Sequence, residues 1–172
     1  MKETELFAPI KIWLKDQGYK VYAEVSNPVA GTCLIDVVGV KDKMTIAIEM
    51  KLSLSKTVIT QAYRARMVAN KVYCAVPCKP RRKGIAECKK YSVGLLRVTD
   101  KVEVLLDSPD ENNHFIERYS LIENRDFENM DEGTEAGMPC EKGVGMTYDL
   151  CEQINEYQKT HPKAGWKEIY QN

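Results

Sequence analysis

The chain has 172 residues, 44% of them hydrophobic, with 25 basic and 25 acidic side chains and two histidines. That length and composition suit one globular domain with a small appendage. No apolar run is long enough to span a bilayer, and the charged start Met1-Lys2-Glu3-Thr4-Glu5 is wrong for a secretory signal, so the expected location is the cytoplasm.

Leu6, Phe7, Ile10, Trp13 and Leu14 recur at helical spacing and predict a helix capped by Thr4, running to about Gln17 and closed by Gly18. Pro9 sits one turn in, so that first turn is expected to be irregular. Tyr19 to Val25 alternates as a half-buried strand. Asn27-Pro28 and Gly31 mark a loop. Leu34 to Val40 and Met44 to Met50 are apolar, β-rich runs joined by Lys41-Asp42-Lys43, which predicts an antiparallel hairpin. Ser55 to Asn70 reads as a helix through Val58, Ile59, Ala62, Ala65 and Ala69. Val72 to Val76 is the next strand, ended by Pro77. A basic stretch and a helix to Tyr91 follow, then short strands Val93–Val98 and Val102–Leu106. The order predicts an α/β domain over 1–107, a mixed sheet with helices on both faces.

From Asp107 the character changes. Residues 108–145 are polar and acidic; Glu123 to Glu135 holds six acids against one arginine, and a partly irregular segment is expected. A C-terminal helical appendage over 146–172 is predicted from Leu150, Ile154 and Tyr157, with Trp166, Ile169 and Tyr170 starting a further helix. The chain stops soon after that pattern, as a truncated fragment would. The zero net charge hides a split: residues 1–106 carry 19 Lys+Arg and 10 Asp+Glu, net +9, and residues 107–172 carry 6 and 15, net −9. A basic front half suits a protein that grips a phosphate backbone. Charge also segregates in this way between a core and a solvated tail that bind nothing. Of the six cysteines none forms a CxxC pair; they read as reduced, small apolar residues rather than cluster ligands. His114 and His161 have no partner spacing that suggests zinc.

The chemistry lies in the hairpin. Asp36, in Leu34-Ile35-Asp36-Val37-Val38, and Glu49, in Ile46-Ala47-Ile48-Glu49-Met50-Lys51, both interrupt apolar strands. A buried carboxylate costs several kcal/mol unless it is compensated. On antiparallel neighbours the two acids fall side by side, and a divalent cation with oxygen preference, Mg²⁺ or Mn²⁺, relieves their repulsion. Lys51, two residues on, shares the face of Glu49. Its ammonium could hold or deprotonate a water, or stabilise charge on a phosphate. The plainer reading is a buried ion triplet or strand-end charges reaching water.

Helix, Asp on the first hairpin strand, Glu-x-Lys on the second, and a helix after it together resemble the PD-(D/E)XK, or restriction-endonuclease-like, superfamily. Ile35 stands at the position of the proline, which varies in that superfamily. The chain further resembles an uncharacterised bacterial and phage family of PD-(D/E)XK phosphodiesterases. That likeness runs through Glu3-Thr4-Glu5-Leu6-Phe7, Gln17 to Val21, Glu24-Val25, Ile48 to Lys51, Gln61 with Arg64, Lys71 to Pro77 and Val102 to Asp107. The resemblance implies a restriction-endonuclease-like mixed β-sheet flanked by helices, carrying a metal-dependent phosphodiesterase that is expected to act as an endonuclease. It implies Asp36, Glu49, Lys51, Gln61 and Glu3 as catalytic residues, and Asp36, Glu49, the Met50 backbone carbonyl and Glu3 as metal ligands. Glu5 is a weaker candidate than Glu3, which shares a helix face with Phe7 and Ile10. DNA is the implied substrate, RNA remains open, and a homodimer is expected because many enzymes of this fold pair to cut both strands. Arg64, Lys79, Arg81, Arg82 and Lys83 are the candidate phosphate contacts, with Lys89 and Lys90 beside them and Tyr63 as a weaker substrate contact. The alternatives are a catalytically silent nucleic-acid-binding module, and an interaction protein whose acidic segment mimics DNA or folds back on the basic half.

Overall fold

The computed structural model describes residues 2–26 and 34–110. The chain divides into compact units Met1–Met138 and Pro139–Asn172, and every described residue belongs to the first. The predicted appendage and most of the acidic segment lie outside the described residues.

The predicted N-terminal helix is two pieces: a 3-10 turn, Glu3–Leu6, then helix α1, Phe7–Asp16. Thr4 is not the cap; neither piece has a side-chain cap. Pro9 explains the break. With α1 starting at Phe7, Pro9 lies in its first turn, where amide hydrogens lack intrahelical partners anyway. Phe7, Ile10 and Leu14 are buried along one stripe. Gly18 turns the chain out at φ +84°, and Lys41 Nζ donates to the Gln17 carbonyl at 2.8 Å.

Strands β1 (Lys20–Ser26), β2 (Leu34–Lys41) and β3 (Met44–Met50) form an antiparallel meander. The hairpin expectation holds: Lys41 pairs with Met44, leaving a two-residue turn in which Asp42 adopts φ 51°, a left-handed conformation aspartate tolerates. Helix α2 (Lys56–Ala65) then crosses to β4 (Lys71–Val76), and α3 (Arg82–Lys90) crosses to β5 (Gly94–Val98). Strands β3, β4 and β5 are parallel, and β6 (Val102–Leu106) closes the edge antiparallel to β5. The six strands lie in sequence order in one mixed sheet.

Two clusters of buried side chains define the layers. Leu6, Phe7, Ile10 and Leu14 pack with Ile46, Ile48 and Met50 on one face. Val58, Ile59, Ala62 and Ala65 of α2, with Cys88 of α3, pack with Ala47, Val72 and Cys74 on the other. Helices therefore cover both faces.

Helix α2 is shorter than the periodicity to Asn70 suggests. Ser55 caps it by accepting from the Val58 amide, and after Ala65 the amides of Arg66, Met67 and Val68 bond three residues back, tightening the chain. The tightening delivers Asn70 to a buried site, where its Oδ1 accepts from the Thr45 amide at 2.9 Å and from Thr45 Oγ1 at 3.0 Å. Asn70→Ala leaves those donors unmet and is expected to lower stability by about 1–3 kcal/mol in a urea titration. A variant within about 0.3 kcal/mol of wild type would discount this bond as the reason for the turn. Among the described residues, no helix is long and apolar enough to cross a membrane.

Candidate active site

Because β2 runs against β3, the start of β2 and the end of β3 meet at one end of the sheet. Val37 pairs with Ile48, so the next positions outward, Asp36 and Glu49, are opposite each other. Asp36 Oδ2 accepts from the Met50 amide at 2.7 Å. Glu49 is buried, and its strand position is matched by Cys74 on β4. Lys51 follows directly, its amide held by the Ala75 carbonyl at 3.0 Å. Lys51 Nζ is paired with Glu3 Oε1. Glu3 lies in the 3-10 turn that precedes α1, at the end of the sheet where Lys51 leaves β3.

Burial governs the electrostatics. Loss of water pushes Glu49 up to about 8, and the negative charge of Asp36 adds to it while Lys51 opposes. Burial likewise pushes Asp36 up to about 6, against the Met50 hydrogen bond and the Lys51 charge. Burial works against the charge of Lys51, but the Glu3 hydrogen bond and the surrounding carboxylates outweigh it, and its pKa rises above the ordinary lysine value. Lys51 is thus a held cation, suited to stabilising negative charge rather than to taking a proton.

Sequence reasoning missed Glu24. On β1, Ala23 pairs with Val37 and Val25 with Ile35, which leaves Glu24 opposite Asp36. Glu24 adopts φ 54°, a left-handed conformation that costs a non-glycine residue and that collects at functional sites. The regular alternation fails at the same point: Ala23 and Val37 belong to the α1-side cluster, while Val25 and Ile35 belong to the α2-side cluster. Glu24, Asp36 and Glu49 therefore follow one another across three adjacent strands, and the charges of Glu24 and Glu3 both raise the other two acids. The one usable signal in the sequence is an acid at the end of the first strand; its alignment with Asp36 depends on a register that only pairing sets.

The other candidates fall in separate places. Gln61 is half-buried on α2, and its Oε1 is buried without a hydrogen-bond partner. Glu5 and Arg64 are exposed. Lys79, Arg81 and Lys83 line a cavity of about 490 Å³ between the starts of α2 and α3; Arg82 is exposed on α3 and does not line it. Of the cysteines described, Cys74 and Cys88 are buried and Cys78 is exposed, all with free thiols.

Among the described residues, no three His, Cys, Asp or Glu side chains are gathered into a ready-made metal cage. Two adjacent carboxylates are still the number Mg²⁺ commonly takes, with water and substrate phosphates completing its shell. The raised pKa values, set first by burial and then by the neighbouring acids, are consistent with that donor set: a divalent cation would favour the ionised pair. No family model, curated protein or solved structure matches this chain.

Proposed function

We propose that this protein is a cytoplasmic, metal-dependent nuclease of the PD-(D/E)XK kind that hydrolyses phosphodiester bonds in DNA. The observation that carries the reading is the adjacency of Asp36 and Glu49 at one end of the sheet, with the paired ammonium of Lys51 beside them. The element order, helix, three-stranded meander, helix, parallel strand, is a second support. Asp36, Glu49 and the Met50 carbonyl would hold Mg²⁺ or Mn²⁺, which supplies Lewis acidity and an activated water when bound. Lys51 stabilises charge on the phosphate. Glu3 orients Lys51, and Glu24 adds to the negative potential that draws in the cation.

A second reading, a catalytically silent module on the same framework, draws on one observation: one of the two carboxylate oxygens of Asp36, Oδ2, is already engaged by the Met50 amide. A cleavage assay separates the two. Plasmid, linear duplex, single-stranded and branched DNA, and RNA, are incubated with Mg²⁺, with Mn²⁺ and with EDTA. Metal-dependent cleavage of any of them supports the nuclease, and size-exclusion chromatography beside it tests the expected homodimer. No cleavage in either metal supports the silent module.

A further inference from the structure

The parallel crossovers place α2 and α3 side by side on one face, both starting at the end of the sheet that holds Asp36, Glu49 and Lys51. Two residues beyond Lys51 the wall of the 490 Å³ cavity begins at Ser53. Two residues span at most about 7 Å and four at most about 14 Å, so Ser53 lies within those reaches of Lys51 and Glu49, and the cavity opens at the same end of the sheet as the carboxylate pair. Its walls carry Lys56, Lys79, Arg81 and Lys83 against a single acid, Glu87, and its apolar surface includes Leu54 and Ile59.

Past the cavity the two helices run on side by side toward their C-terminal ends. Lys56, Ile59 and Tyr63 are spaced as one stripe of α2, and Gly84, Glu87 and Tyr91 as the facing stripe of α3 and its end. At the far end Tyr63 and Tyr91 meet edge to face, ring centroids 5.5 Å apart, and both are exposed, at 49% and 37%. Lys90 Nζ lies 5.4 Å from the Tyr91 ring centre. From Lys56 to Tyr63 the helix rises about 10 Å, room for roughly two or three nucleotides stacked at about 3.4 Å.

Cations at one end and partly exposed aromatic rings at the other are the parts of a single-strand track. Duplex bases are stacked on each other and offer no face to a tyrosine; unpaired bases do. We propose that the α2–α3 surface, from the cationic cavity to the tyrosine pair, binds single-stranded nucleic acid, its phosphates against Lys79 and Arg81 and its bases on Tyr63 and Tyr91, and so feeds an unpaired tail to the neighbouring carboxylates. The feeding role rests on the nuclease reading; the binding does not.

The test is fluorescence anisotropy of the full chain in EDTA, where nothing is cut, with labelled 20-nucleotide oligo-dT, oligo-U and a duplex of equal length. Wild type should bind a single strand at least about tenfold tighter than duplex, and the oligo-dT and oligo-U arms tell DNA from RNA. Tyr63→Ala/Tyr91→Ala should weaken single-strand binding roughly 10- to 100-fold, and Tyr63→Phe/Tyr91→Phe should restore it, because stacking needs the ring and not the hydroxyl. Lys79→Ala/Arg81→Ala should lower the salt slope by about 1.4. Equal or tighter duplex binding, no measurable single-strand binding, or less than about a twofold effect of the alanine pair in a normally melting protein overturns the proposal. Metal-dependent duplex cleavage alongside such a result would leave the nuclease reading standing, and single-strand binding without cleavage would do the reverse.

Discussion

On the proposed nuclease reading, Glu49→Ala and Asp36→Ala are each expected to cut Mg²⁺- or Mn²⁺-dependent cleavage by about a hundred- to a thousandfold. Each removes half of the paired carboxylates at that end of the sheet, and a single preorganised charged group at a transition state is worth about 10²–10³ in rate. Lys51→Ala removes only the held cation and should cost about a hundredfold or more. Glu3→Gln keeps the size of the partner but weakens its grip on Lys51, so a smaller loss, about 10- to 100-fold, is expected. Glu5→Ala, exposed on the same turn, is the control and should be unchanged. The measurement is the rate of plasmid nicking under single-turnover conditions. Cleavage that persists in both Asp36→Ala and Lys51→Ala would sink the assignment of this site.

The second large effect is on stability, through protons. Glu49 has an ordinary value of 4.5 and is pushed up to about 8 in the folded protein; Asp36 moves from 3.8 to about 6. Between those limits the folded chain binds more protons than the unfolded one, so folding stability falls as pH rises. The contribution is fully present below about pH 4 and is lost by about pH 8. For Glu49 alone it is on the order of 3 kcal/mol once water penetration is allowed for, or about 5–10 °C in melting temperature. Glu49→Gln cannot ionise, so without metal it should melt close to wild type at pH 5 and clearly above it at pH 8.5. Millimolar Mg²⁺ should stabilise wild type at pH 8.5, because a cation that prefers the ionised pair stabilises the fold by mass action, and should do little for Glu49→Gln. A wild-type melting temperature that is flat from pH 5 to 9 and indifferent to Mg²⁺ would overturn the picture of two buried, mutually repelling carboxylates.

The strand pattern was legible because each strand is short, apolar and bounded by turn residues, and because the hairpin leaves so little chain between Lys41 and Met44 that only an antiparallel partner can be reached. Asp36, Glu49 and Lys51 stood out for the same reason: charged residues inside apolar runs need an explanation. Local pattern could not show the split of the first helix, since Leu6, Phe7 and Ile10 keep helical spacing through both pieces and only the backbone demand of Pro9 divides them. Nor could it end α2 at Ala65, where a buried side-chain bond between Asn70 and Thr45, 25 residues apart, overrides the continuing periodicity.

The sequence by itself determined which side chains carry the charge, the adjacency of the two acids on one hairpin, and the basic cluster from Lys79 to Lys83. Tertiary structure decided what surrounds them. It set Glu24 opposite Asp36, joined Lys51 to Glu3 across 48 residues, and laid Tyr63 beside Tyr91. Those are matters of strand register and helix docking. Both are settled by which apolar faces bury together, a property of the assembled sheet that no single stretch of chain contains.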